Sequence, residues 1–264
     1  MRRHVSQALR NAWYLGLNQP RLTVRPTDGF LVSWPRSGNT WMRYMLAEVL
    51  VPNNDLDMTQ IEDLIPIVDR PDFTAALRQL DNRQPPRLFK SHELVDTRCL
   101  TGRVIYIVRD PRDAIPSFYK YRTQRSRWKM TWDRFFTQSI ANKHRYGSWH
   151  RHVAGWLKHS DHPNFLLVRY EDMLADAARE LARVVQHLGL TADQRLIQQA
   201  VERSSVDRVS HGFAKVASTR GLAFQGGSGG GTGKARDNFS PQQTQQLINQ
   251  NRDILRQLDY PLDD

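Results

Sequence analysis

The sequence predicts an α/β domain of three layers, with a central parallel sheet of about five strands and helices flanking both faces. Three observations lead there. Short, largely apolar runs recur along the chain, each too short for a helix. Between them lie segments whose apolar residues fall at helical spacing. And 264 residues with 39% hydrophobic side chains suit one large core better than two.

Taken in order, residues 1–27 hold five arginines and no acid, with Val5, Ala8, Leu9, Ala12 and Trp13 at helical spacing. They predict a basic helical extension that packs on the domain's back or touches a membrane surface. The domain proper then runs over 28–264. Residues 30–34 read as a buried strand, followed by a glycine-bearing turn and a helix carrying Trp41, Tyr44, Met45 and Val49. Residues 73–80 resume helical spacing, and residues 87–90 form a second strand. Residues 104–108, β-branched and aromatic, are the strongest strand signal. Helices follow over 114–121, 132–140 and 148–157, where Trp149 and Trp156 read as core. Residues 165–168 are a fourth buried strand, leading to a helix over 173–188 that Gly189 ends. Residues 221–236 are glycine-dense without periodicity and predict a mobile loop. Ser240 and Pro241 suit the cap and first position of a final helix.

Composition narrows the function. The formal charge is +11 and the pI about 10.1, so an anionic partner is expected: nucleic acid, anionic lipid or a phosphorylated small molecule. The longest apolar run is five residues, against about 20 for a membrane span. A single cysteine, Cys99, excludes an internal disulfide, and a cytoplasmic location is expected.

The strongest local signal is the turn Pro35-Arg36-Ser37-Gly38-Asn39-Thr40-Trp41 between strand and helix. Backbone N–H groups at a helix start, with the helix dipole, make an anion site. Arg36 adds a fork of donors, and Ser37, Asn39 and Thr40 add side-chain hydrogen bonds. An ordinary strand–helix turn with incidental polar residues is the plainer alternative. It is not a Walker A loop, which needs G-x-x-x-x-G-K-[ST]. Gly233-Lys234 fails that pattern, because Ser228 stands five residues before Gly233 and Ala235 follows the lysine.

Three further segments complete a pattern. Lys90-Ser91-His92 follows the second strand, Arg109 ends the third with Ser117 eight residues on, and Arg169-Tyr170-Glu171-Asp172 follows the fourth. In this order and spacing the set resembles the sulfotransferases that use 3′-phosphoadenosine-5′-phosphosulfate (PAPS) and release PAP. The resemblance runs from about residue 28 to 258 and implies a fold like that of the P-loop nucleotide kinases. It implies that Arg36, Ser37, Gly38, Asn39 and Thr40 cradle the 5′-phosphosulfate, that Trp41 and Tyr170 lie near the adenine, and that Arg109 and Ser117 bind the 3′-phosphate. It makes His92 the general base, with Lys90 near the transferring group. Glu93 stays an alternative base. Trp41 and Tyr170 also fit as core aromatics, and Ser117 as a plain helix residue.

The C-terminal segment departs from the family's R-K-G-x-x-G-x-W-K. Ser228-Gly229-Gly230 stand at R-K-G, Ala235 at the tryptophan and Arg236 at the lysine, while Gly233 keeps the second glycine. The 3′-phosphate clamp is then either weaker than the family's or completed by Lys234, Arg236 or Arg220. The resemblance implies sulfuryl transfer to the hydroxyl, or the amine, of a small-molecule acceptor. No metal is required, and no nucleic-acid partner. A small-molecule kinase of similar fold, a basic nucleic-acid-binding protein and a non-catalytic PAP binder are the competing readings. Residues 52–86, 122–146 and 221–236 are the expected acceptor loops, the last as a lid over bound cofactor.

Overall fold

A computed structural model describes residues 22–54, 56–68, 73–81, 86–125, 129–205, 233, 236–239 and 240–263. Four parallel strands form one sheet: β1 (Gly29–Ser33), β2 (Leu88–Ser91), β3 (Arg103–Val108) and β4 (Phe165–Arg169), in spatial order β2-β1-β3-β4. Each covers one of the apolar runs. The about five expected become four among the described residues. Residues 66–68 add a rudiment at the β2 edge, where Ile67 bridges Lys90. Lys90 donates its N–H to the Pro66 carbonyl and accepts from Val68. Pro66 has no N–H of its own to lengthen that pairing.

Alternation along the strands divides the core. Phe30, Val32, Val104, Tyr106 and Val108 face one side, with Phe118, Trp149 and Trp156. Leu31, Ile105 and Ile107 face the other, with Met42, Met45 and Val184. Helices cover both faces: α1 (Asn39–Leu50), α2 (Met58–Leu64), α3 (Phe73–Asp81), α4 (Pro111–Arg125), α5 (Trp132–Ile140), α6 (Trp149–Leu157), α7 (Tyr170–Ala175), α8 (Ala177–Leu188), α9 (Gln194–Arg203) and α10 (Pro241–Gln257).

The expected helix over 173–188 is two. At Asp176 the backbone is extended, and the Asp176 carboxylate accepts the Arg179 N–H, capping a new helix. Gly189 ends α8 in the left-handed conformation, as its position suggests. Ser240 caps α10 in a reciprocal pair with Gln243, and Pro241 opens it. The helices α2 and α9 had no sequence-based counterpart; Asp57 and Asp193 cap them.

The chain runs from β1 outward to β2, then returns to β3 on the other side of β1. The strand order therefore reverses beside β1, the place where open α/β sheets bind ligands. Among the described residues no helix is long and apolar enough to cross a membrane. Residues 1–21 of the basic extension, and 221–232, 234 and 235 of the glycine-rich segment, lie outside the described residues.

Candidate active site

All four strands end on the same side of the sheet, and their carboxyl ends carry the candidate residues. The register sets their relative heights. Val32 pairs with Ser91, so Ser33 and His92 follow at one level. Val108 pairs with Arg169, so Arg109 and Tyr170 follow at another.

The β1–α1 turn is tightly wound, with Arg36 at φ 69° and Gly38 at φ 97°. Only glycine adopts the second without strain, and space reinforces the choice. A Cβ on Gly38 would stand 2.5 Å from Cδ2 of Tyr170. The first amides of α1 have no carbonyl one turn back to meet. Asn39 is tied down by its amide, which donates to the Leu31 carbonyl (3.0 Å) and the Ser33 hydroxyl (3.2 Å). Ser37 Oγ, Asn39 Oδ1 and Trp41 Nε1 are buried without a hydrogen-bond partner. Buried polar atoms are nearly always paired, so three around one turn mark a place built for a polar ligand. Thr40 follows on the half-exposed first turn of α1. Gly38→Ala is expected to cost about 1–3 kcal/mol of stability and most PAP binding; wild-type melting temperature and PAP affinity in that variant would refute the packing reading.

His92 sits just beyond β2, half-buried. Its Nδ1 lies 2.8 Å from the Ser33 carbonyl and 3.3 Å from the Ser33 hydroxyl. A carbonyl only accepts, so Nδ1 carries the proton and Nε2 keeps a lone pair. Burial holds the ring well below its usual 6.5, with Lys90, His152 and Arg36 pushing the same way and the Ser33 bond opposing. Lys90, two residues back on the same face, is itself buried. Tyr146 packs edge-on to the His92 ring, with centroids 5.6 Å apart. Glu93 turns to Arg145, 3.3 Å away.

Arg109 leaves β3 toward the turn. Its guanidinium donates to the Arg36 carbonyl (3.2 Å) and covers the Tyr170 ring, 4.4 Å from the centroid. Tyr170 in turn meets Trp41 edge-on at 6.2 Å. Arg36 donates from Nε to Ser117 Oγ (3.2 Å) and lies over Tyr121. Arg36 and Ser117, assigned by resemblance to opposite ends of the cofactor, are thus hydrogen-bonded to each other. From the C-terminal segment, the Gly233 N–H reaches the Asp113 carboxylate (2.9 Å), and Arg236 stands 3.7 Å from Asp110. Arg236 is therefore brought to the Arg109 side of the site. Lys234 lies outside the described residues, as does Arg220.

The structure adds residues that sequence reasoning missed. Asp113 anchors Gly233; its signal was a place one helical turn before Ser117. Glu171 accepts the Asp110 N–H and the Tyr260 hydroxyl, joining the loops that carry Arg109 and Tyr170. Trp149, read as core, is buried but also donates its indole N–H to the Arg109 carbonyl. Among the described residues no group of three His, Cys, Asp or Glu side chains is placed to hold a metal ion.

Known proteins are similar to this chain in sequence and in fold. The sulfotransferase domain family matches residues 26–258. Sulfotransferase 1C2 of Rattus norvegicus is 26% identical over 198 residues, covering 70% of this chain and 67% of the relative. Human sulfotransferase 2A1 is 28% identical over 198 residues, covering 69% and 66%. Retinol dehydratase, solved with androsterone and PAP, superposes with a TM-score of 0.73 at 21% identity, covering 96% of this chain and 85% of that one. Mouse sulfotransferase SULT7A1, solved with PAP, gives 0.72 at 24% identity, covering 94% and 90%. With the family's match running from ahead of β1 to the end of α10, the chain belongs to the sulfotransferase domain family.

Proposed function

We propose that this protein transfers a sulfuryl group from PAPS to the hydroxyl, or the amine, of a small-molecule acceptor in the cytoplasm, with His92 as general base. The observation that carries it is the Nδ1 contact of His92 with the Ser33 carbonyl, which leaves Nε2 free to take a proton beside an anion-binding turn. When bound, PAPS would supply a sulfuryl group activated as a phosphosulfate anhydride: as the acceptor's oxygen or nitrogen bonds to sulfur, the opposite bond from sulfur to the bridging oxygen would break and PAP would leave, the acceptor's proton passing to His92.

The residues fit such a polyanion. Ser37 Oγ and the first amides of α1 offer unspent donors to the 5′ end. Arg36 and Lys90 place positive charge where negative charge grows on the leaving oxygen. Arg109 and Ser117 supply fork and hydroxyl for the 3′-phosphate, with Arg236 near enough to complete the clamp. Trp41 and Tyr170 offer ring surface to the adenine. Tyr146 and the 66–68 segment flank His92 and Lys90, and they border the acceptor's approach. Lys234 and the 221–236 lid belong to the same proposal. So do the division into a 1–27 extension and a 28–264 domain, and membrane-surface contact by that extension. Family membership favours this reading over a kinase or a nucleic-acid-binding protein.

Calorimetry with PAP, ADP and ATP at two salt concentrations tests the cofactor. PAP is expected to bind about tenfold or more tighter than ADP, since only PAP carries the 3′-phosphate that a charged fork recognises. Equal affinity for PAP and ADP would overturn the 3′-phosphate site.

A further inference from the structure

One buried titratable pair has no part in that scheme. His152 on α6 is fully buried, and so is Tyr106 in the middle of β3. The Tyr106 hydroxyl lies 2.8 Å from His152 Nδ1, and His152 Nε2 lies 3.1 Å from the backbone carbonyl of His92. The tautomer follows from the partners. The His92 carbonyl can only accept, so His152 Nε2 carries the proton. His152 Nδ1 is then an acceptor, and the Tyr106 hydroxyl donates to it. Burial holds His152 down at about 4, against a pull upward from the carbonyls of His92 and Glu93, so it stays neutral at physiological pH. The Tyr106 ring is itself clamped between His152, Trp156 and Phe165, with centroids 5.8, 5.9 and 6.0 Å away.

We infer that Tyr106 and His152 are positioning residues: by holding the His92 peptide carbonyl, they fix the ring in the Nδ1–H tautomer against Ser33. Neither touches the reacting atoms. The geometric logic is local. β2 ends at Ser91, so no ladder hydrogen bond holds residue 92 in place. Hydrogen bonds at two points orient it instead: the ring Nδ1–H donates to the Ser33 carbonyl, and the His92 carbonyl accepts from His152. Losing the second frees the peptide to rotate, and the ring then leaves the Ser33 carbonyl. With His152 neutral, its Nε2 donates to the His92 carbonyl while its Nδ1 accepts from the Tyr106 hydroxyl, so both ring nitrogens are satisfied. The groups facing His152 are the ring and hydroxyl of Tyr106, the carbonyls of His92 and Glu93, and the titratable His92 ring, to which it is electrostatically coupled.

The functional weight of this inference rests on His92 being the base, but its test does not. The full chain, labelled with ¹⁵N-histidine and saturated with PAP, reports ring tautomers by two-bond proton–nitrogen correlation. Wild type is expected to show His92 as a single Nδ1–H tautomer and His152 as Nε2–H. His152→Leu is expected to give a mixed His92 tautomer, whereas His152→Gln, which keeps a donor at the same reach, restores the single form. Tyr106→Phe preserves ring and volume and is expected to mix the His152 tautomers and loosen His92 in part; it carries the test if His152→Leu does not fold. PAP affinity stays within about twofold in each, because the pair lies away from the phosphate loops, and PAPS turnover falls about tenfold in His152→Leu. A single, unchanged His92 tautomer in both His152→Leu and Tyr106→Phe overturns the inference. Undiminished PAPS turnover in His92→Ala overturns the base assignment instead, and leaves the tautomer result standing.

Discussion

Replacing His92 by alanine is expected to slow sulfuryl transfer by about 10²–10⁴-fold while PAP affinity changes little. The separation matters, because His92 touches the Ser33 carbonyl and Tyr146 but none of the groups assigned to the phosphates. The pH profile carries a second signature. Only the neutral ring has a lone pair on Nε2, so activity falls as pH drops through the His92 pKa. Burial first, then Lys90, hold that pKa well below 6.5 in the protein alone, so the acid limb of kcat/KM is expected well below 6.5. A bound polyanion beside Lys90 and Arg36 offsets their charge, so PAP should raise the His92 titration. The same shift has a stability consequence. Between the lowered folded pKa and about 6.5 the unfolded chain binds more protons, so stability falls as pH falls through that window. A His92→Ala variant with wild-type turnover, or an acid limb above 6.5, would sink the assignment, and Glu93 would have to be reconsidered.

Arg109→Ala is expected to remove most of the preference for PAP over ADP. A hydrogen bond to a charged group is worth about 1.5–3 kcal/mol, so PAP affinity should fall about 10- to 100-fold and ADP affinity far less. The guanidinium also lies over Tyr170 and donates to the Arg36 carbonyl, so the loss propagates to two neighbouring loops. Arg109→Lys separates the effects. It keeps the charge, but not the fork or the stacking on Tyr170, and should recover only part of the loss. Calorimetry of both variants with PAP and ADP checks this; a parallel drop for both nucleotides would assign Arg109 to holding the loop rather than reading the 3′-phosphate.

The strands were legible because each carries a short buried apolar stretch, unbroken over residues 104–108 and 165–168 and reduced to Leu88 and Phe89 in β2. The Arg36–Trp41 turn was legible as a candidate anion site because glycine, arginine and small hydroxyl residues at a strand–helix junction carry their chemistry locally. Helix ends set by one side chain were harder. Asp176 breaks an amphipathic stretch that periodicity carries straight through, because a cap competes with continuation at a single residue. The helices α2 and α9 had no such reading either, though Asp57 and Asp193 stand at their starts as caps.

Which residues would meet at the site was written in the order of motifs along the chain: Arg36 to Trp41, then Lys90 and His92, then Arg109 and Ser117, then Tyr170. How they meet was not. The Arg36–Ser117 bond spans 81 residues, and the hold of His152 on His92 spans 60. The contact of Gly233 with Asp113 spans 120. Such pairings depend on strand order and register, which bring the carboxyl ends of β1, β2, β3 and β4 to one edge. Local propensity acts over a few neighbouring residues, so it specified the pieces. The tautomer of His92, the stacking of Arg109 on Tyr170 and the arrival of Arg236 beside Asp110 came only when packing on both faces of the sheet placed distant segments within hydrogen-bond reach.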